Sequence, residues 1–218
     1  SNLKTASKID GGAGRDSVSF AGVLSGGSVV GGADNDTLNF SAGVNNNANV
    51  SGDAGSDLLL FSSTLNTAAV YGGSGGDSMV FKGAISNSTI DFGADNDTVT
   101  FSVVLSTSTV IGGAGADSLV FSSSLINSSV NAGSEADTFV FSSASLSGGS
   151  AVSMGAGNDS ISFTSASLNG AKFEGGTGTD TFSGSVFVGA SGVSFYGDAG
   201  NDTFDFGSGA ITGINNGG

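Results

Sequence analysis

Apolar residues recur in short bursts along this chain, and the bursts return about every twenty residues. In the stretch Gly112 to Asn131, GGAGADSLVFSSSLINSSVN, the run Ser118-Leu119-Val120-Phe121 alternates with period two, the mark of a half-buried strand. The unit can be anchored on the aspartate closing each glycine-rich turn: Asp16, Asp36, Asp57, Asp77, Asp97, Asp117, Asp137, Asp159, Asp180 and Asp202, spaced by 20, 21, 20, 20, 20, 20, 22, 21 and 22 residues. Two residues past each anchor stands Val18, Leu38, Leu59, Met79, Val99, Leu119, Phe139, Ile161, Phe182 or Phe204. Four past it stands Phe in every coil but one, from Phe20, Phe40 and Phe61 through Phe163, with Gly184 as the exception before Phe206. Both columns are expected to face inward. A second apolar pair, such as Leu24/Val29, Leu65/Val70, Ile85/Ile90, Leu105/Val110 or Leu125/Val130, predicts a second strand before the next turn.

Apolar spacing of two, β-branched residues and a glycine cluster in every coil all argue against helix. One such unit cannot bury its own Phe, so the expected architecture is all-β: a parallel β-solenoid of about ten coils of 20 to 22 residues, two short strands per coil, stacked about 4.8 Å apart. The repeat makes residues 1–218 a single solenoid domain, expected to be a fragment of a longer repeat protein, with SNLKTASKID as the tail of a preceding coil. The later coils carry extra residues, in SSASLSGGSAV and between Phe182 and Tyr196, which should bulge the polar turn without breaking the stack.

Composition narrows the chemistry. The formal charge of −14, from 19 acidic and 5 basic side chains, disfavours nucleic acid and anionic membrane surfaces as partners. No apolar run is long enough to predict membrane insertion, and no charged-then-apolar leader opens the chain. There is no Cys for a disulfide or thiolate site and no His for a triad or zinc site, so no enzyme is expected. Five scattered basic residues do not build the cleft of a polysaccharide lyase, and Lys82 and Arg15 read as isolated surface charges.

The informative chemistry lies in the turns: GGAGRD, GGADND, GDAGSD, GGSGGD, FGADND, GGAGAD, AGSEAD, MGAGND, GGTGTD and GDAGND. Glycine at the second and fourth places permits positive φ and turns carbonyl oxygens inward, while the final Asp adds a carboxylate. Hard oxygen donors in such number suit Ca2+. Carboxylates stacked about 5 Å apart repel one another by roughly 1 kcal/mol per pair even at the dielectric of water, so a file of ten requires neutralisation. A metal-free alternative is that each Asp closes an Asx-type turn and some are protonated.

The turn followed by x-apolar-x resembles the nonapeptide GGxGxDxUx of the RTX (repeats-in-toxin) family, over nearly the whole chain from Gly11 to about Gly207. The resemblance implies a right-handed β-roll in which several Ca2+ ions lie between consecutive turns along one edge. The ten anchor aspartates would be ligands, with carbonyls from the turn glycines Gly12, Gly14, Gly32, Gly73, Gly75, Gly113, Gly115, Gly157, Gly176, Gly178 and Gly200. This sequence departs from the family in lacking a Gly-Asp turn on the opposite edge, where SSSLINSS, SAGVNNNA or STLNTAA stands instead. Ca2+ is therefore expected on one edge only. Asp34, Asp95 and Glu135 replace the fourth Gly, Asp53 and Asp198 the second, and Phe92, Ala132 and Met154 the first. Asp tolerates the left-handed region better than most residues, whereas Glu135 is expected to resist it and to weaken the site at Asp137.

The position after the anchor is Ser or Thr in nine coils, a regular outer hydroxyl rank that reads as a solvated face, with ice or carbohydrate binding as alternatives. Asn-x-Ser/Thr matches such as Asn35-Asp36-Thr37 fall inside the metal turns and read as coincidence. The family resemblance implies an extracellular or bacterial cell-surface location and a structural module of surface-layer or adhesin type, with Ca2+ rigidifying the rod. Its partners would be calcium ions and neighbouring subunits or further repeats of the same chain. A carboxy-terminal RTX domain of a secreted protease or lipase is the alternative.

Overall fold

The computed structural model describes residues 7–184, 192–207 and 214–215. The chain winds as a parallel β-solenoid of about ten coils. In the coil between Asp77 and Asp97 the strands are Ser78–Phe81, Ile85–Ser86 and Thr89–Ala94. The next coil lies on it in strict register, with Phe101 on Phe81, Leu105 on Ile85 and Val110 on Ile90. The strand after the anchor in each coil builds a ten-stranded sheet, and the remaining strands together build a seventeen-stranded one.

A coil therefore carries two walls, but the second wall kinks in most coils. The kink sits at a residue in the left-handed region, Asn87, Thr107 or Asn127, with φ of 49, 50 and 49°. Asn adopts that region readily; Thr does so only where its surroundings fix it. In two coils the second wall runs unbroken, as Val44–Ala54 and Leu65–Ser74.

Both expected columns face inward. The residues two and four past each anchor are buried from Leu38 and Phe40 to Ile161 and Phe163. The opposing Leu24, Val29, Leu65, Val70, Ile90, Leu105, Val110, Leu125 and Val130 close the core. Stacking at the coil repeat sets the rings parallel: Phe40, Phe61, Phe81, Phe101, Phe121 and Phe141 follow one another at 4.8–5.1 Å between centroids and within 9° of parallel. Burial of each ring stabilises the stack by roughly 2–3 kcal/mol, and only the neighbouring coils provide that burial.

The column is interrupted at Gly184 before Phe206, and the opposite wall compensates. There the Val130 and Val152 column becomes Phe173 and Phe195, whose rings stack at 5.0 Å. Phe173 and Phe195 meet Phe163 edge-on at 5.0 and 5.8 Å, filling the volume that the missing ring leaves. The extra residues of SSASLSGGSAV form a turn at Gly148 and Gly149, with φ of 67 and 78°, and pairing resumes at Ala151 on Ser129. Of the other lengthened stretch, residues 185–191 lie outside those described, and Ser194–Ala199 then pairs with Lys172–Thr177.

Candidate metal edge

The Gly-Asp turns stack in one file along one edge. In all ten turns the second and fourth places have positive φ, 65–120° at the second and 74–154° at the fourth. Every turn glycine assigned by the family resemblance, from Gly12 and Gly14 to Gly178 and Gly200, is among them. Substituting residues follow the same path: Asp34, Asp95 and Glu135 take φ of 74, 78 and 74° at the fourth place. Glu135 thus departs from the expectation drawn from its side chain. Its Oε2 accepts hydrogen bonds from the Gly115 N–H at 3.0 Å and the Ser134 hydroxyl at 2.6 Å, which offset the backbone cost and hold its carboxyl below the usual range. Asp34 and Asp95 likewise accept the N–H of Gly14 and Gly75 one coil back, at 3.2 and 3.0 Å.

The anchor aspartates make a second, interior file. Each of the nine from Asp16 to Asp180 donates its backbone N–H to Oδ1 of the next anchor, at 2.6–3.0 Å. Asp36 through Asp180 are at most 2% exposed, so these carboxyl groups have left water. In the same nine residues Oδ2 is buried with no hydrogen-bond partner. A buried ionised carboxylate with an open oxygen is costly, and the titration reflects it. Burial, reinforced by neighbouring carboxyl groups and opposed by the N–H bond, pushes Asp97 up to about 8. Asp77 and Asp137 rise to about 7, and Asp117 and Asp159 to about 6, again chiefly through burial.

What Oδ2 faces explains the first glycine in the seven turns that carry one; Phe92, Ala132 and Met154 stand at that place before Asp97, Asp137 and Asp159. A methyl group on Gly52 would lie 2.3 Å from Asp57 Oδ2 and 2.6 Å from the Gly72 carbonyl oxygen, both too close. On Gly175 it would lie 2.5 Å from Asp180 Oδ2 and 2.5 Å from the Gly197 carbonyl oxygen. In these turns an open carboxylate oxygen and the carbonyl of the following coil therefore lie close together beside the first glycine. Two completions satisfy that pair: a proton on Oδ2, or a cation accepted by both oxygens. Carboxylate and carbonyl oxygen are the donor set that Ca2+ takes, so the residues present fit the ion. Among the described residues no three carboxyl groups converge, because the file spaces its acids one coil apart. A cation there would lean on backbone carbonyls for most of its ligands.

The opposite edge solves the same stacking problem without charge. Ser88, Ser108, Ser128 and Ser150 are buried, and their hydroxyls accept the N–H of Ala68, Ser88, Ser108 and Ser128 at 3.1–3.3 Å. Ser88, Ser108 and Ser128 also donate to the carbonyls of Ser86, Ser106 and Ile126 at 2.8–3.0 Å. A hydroxyl both donates and accepts, so this ladder is complete in itself. In the sequence these serines look like generic turn residues, although their spacings of 20, 20 and 22 follow the coil repeat.

No family model and no curated protein matches the sequence. Among solved structures, the fold is similar to that of a hyperactive, Ca2+-dependent, β-helical antifreeze protein from an Antarctic bacterium, at a TM-score of 0.57 and 17% identity over 94% of this chain and 83% of that one.

Proposed function

We propose that this chain is a calcium-binding structural module of an extracellular protein of surface-layer or adhesin type, in which Ca2+ neutralises the aspartate edge and rigidifies the rod. The observation that carries the reading is the row of nine buried, unpartnered Oδ2 atoms, six of them with a backbone carbonyl of the following coil beside the first glycine of their turn. Asp16 through Asp202 would hold the ions, together with carbonyls of the intervening turns. The bound ion would supply positive charge to neighbouring carboxylates and do no covalent chemistry. The Ca2+ dependence of the β-helical structure of similar fold supports the choice of ion. Because ions bind only the folded stack, folding would be coupled to a calcium-rich medium outside the cell.

Calorimetric titration of EDTA-stripped protein with Ca2+ at pH 7.5, followed by circular dichroism, tests this. Several ions per chain are expected, together with a rise in melting temperature. A chain that binds no Ca2+ and melts identically in EDTA overturns the reading.

A second reading, binding of ice, is supported by the outer face of the ten-stranded sheet. Its ranks, including Thr37, Ser78, Thr98, Ser118 and Thr138 beside Val80, Thr100, Val120 and Val140, hold hydroxyls and methyls at one coil repeat. Asp205, at one end, is the charged residue among the outward positions of these strands. Thermal hysteresis of the Ca2+-loaded chain tests it: a gap between melting and freezing points supports the reading, and its absence removes it.

A further inference from the structure

One irregularity of the rod coincides with a notch. Between Asp36 and Asp57 the chain has 21 residues where the next four coils have 20. The added residue is absorbed at Asn46 and Asn47, consecutive left-handed residues with φ of 58 and 62°. There the pairing of Val44–Ala54 with Leu65–Ser74 shifts register, between Asn45 and Ala48. The next coils turn on a single left-handed residue, Thr67 or Asn87, so the doubled turn differs from theirs. At this place lies a shallow cavity of about 240 Å³ lined by Asn47, Asn49, Thr67 and Asn87 together with Ala48, Ala68 and Ala69.

The lining is neutral and rich in hydrogen-bonding groups. The side-chain amides of Asn47, Asn49 and Asn87 make no hydrogen bond within the described residues, whereas neighbouring Asn46 donates to Ser25 and Asn66 accepts from Ser86. Each free amide offers two donors and an acceptor. Tyr71 stands two residues beyond Ala69 on the same strand face, about 7 Å along, and is 36% exposed. Free amides, alanine methyls and an exposed aromatic ring match the hydroxyl rim and C–H face of a sugar.

Other ligand classes fit less well. A cation would meet no carboxylate among the lining residues. An apolar ligand would strand three amides, and an added peptide strand would find both edges of Leu65–Ser74 already paired. An acidic sugar would approach Asp91, which pairs with Tyr71, on a chain of net charge −14. We propose that the notch binds one neutral pyranose unit of a glycan, a role independent of the calcium edge.

The test uses the full chain in Ca2+ buffer, titrated with neutral methyl pyranosides (glucoside, galactoside, mannoside and N-acetylglucosaminide) and with methyl glucuronide as the anionic control. Saturation-transfer NMR reads binding, and tyrosine emission reports on the ring, since the chain has two Tyr and no Trp. At least one neutral glycoside should bind with millimolar affinity, and the glucuronide should bind at least about tenfold more weakly. The Asn49→Ala/Asn87→Ala double variant should weaken binding by about tenfold and Tyr71→Ala by several fold, with Tyr196→Phe unchanged. Asn49 and Tyr71 are exposed, so their substitution should leave the melting temperature unchanged; Asn87 sits at a φ of 49° that alanine tolerates less well, so Asn87→Asp, which keeps that tolerance, gives a second probe should the double variant fold poorly. The proposal falls if no neutral glycoside binds up to about 50 mM, or if binding persists undiminished in these variants.

Discussion

Asp117 and Ser128 sit on opposite edges of one coil and do the same job with different chemistry. Asp117 Oδ1 accepts the Asp97 N–H at 2.8 Å, and Ser128 Oγ accepts the Ser108 N–H at 3.2 Å. Ser128 then donates its own proton to the Ile126 carbonyl at 3.0 Å, whereas Asp117 keeps a buried oxygen with nothing to bind. One edge is complete as translated; the other depends on what the medium supplies.

Without metal, that dependence takes the form of pH. Asp77, Asp97 and Asp137 have folded values of about 7, 8 and 7, against an ordinary 3.8. Between those limits the folded chain holds protons that the unfolded chain releases. Stability from these groups is therefore fully present below about pH 4 and lost progressively as pH rises from there through the folded values of about 7 to 8. EDTA-treated protein should thus melt higher at pH 4.5 than at pH 8, and saturating Ca2+ should largely abolish the difference. A metal-free melt that rises with pH would contradict the burial of these carboxyl groups.

Asp117→Asn separates proton from cation. The amide keeps the acceptor for the Asp97 N–H and adds a donor where Oδ2 stands, so it mimics the protonated acid at every pH. In EDTA at pH 8 the variant should be at least as stable as the parent, with a gain of about 1 kcal/mol. In Ca2+ it should bind one or two ions fewer and lose part of the metal stabilisation. Destabilisation in both media would mean that the carboxylate's role is not charge but shape.

The serine ladder allows a metal-independent comparison. Ser108→Ala removes the acceptor of the Ser88 N–H, bound at 3.2 Å between two buried residues. The cost should be about 1–3 kcal/mol, equal with and without Ca2+, by denaturant titration. A cost that appears only in EDTA would place this serine in the metal network instead.

The sequence made the coil length, the two inward columns and the single file of aspartates readable, because each is a property of one position compared with itself twenty residues on. Phe40 to Phe163 needed nothing more than period-two alternation and a fixed anchor. What stayed hidden depends on contacts between different positions. Phe195 fills the space left by Gly184 from the other wall, a pairing that no single column reveals. Glu135 entered the left-handed region because Gly115, one coil back, offered its N–H. Ser88 and Ser108 looked like solvated turn residues until the neighbouring coil supplied their partners. The choice of proton or cation at Asp117 is set by the medium, since either completes the same oxygen.

Phe101 tests whether the rod is a chain of nearest-neighbour contacts. Its ring lies 5.1 Å from Phe81 and 4.9 Å from Phe121, wholly buried, and each of those rings leans on the next. Truncation to Ala should cost about 3–5 kcal/mol, because the stacked coils cannot close in on a gap without breaking the register of Thr98–Phe101 with both neighbours. Phe20, at the end of the ladder, is only partly buried and tilts 57° to Phe40, so Phe20→Ala should cost less than half as much. If folding is quasi-one-dimensional, hydrogen exchange in Phe101→Ala should accelerate first in the coils on either side of position 101 while the ends stay protected. Uniform acceleration along the whole chain would show instead that the stack melts as one cooperative unit.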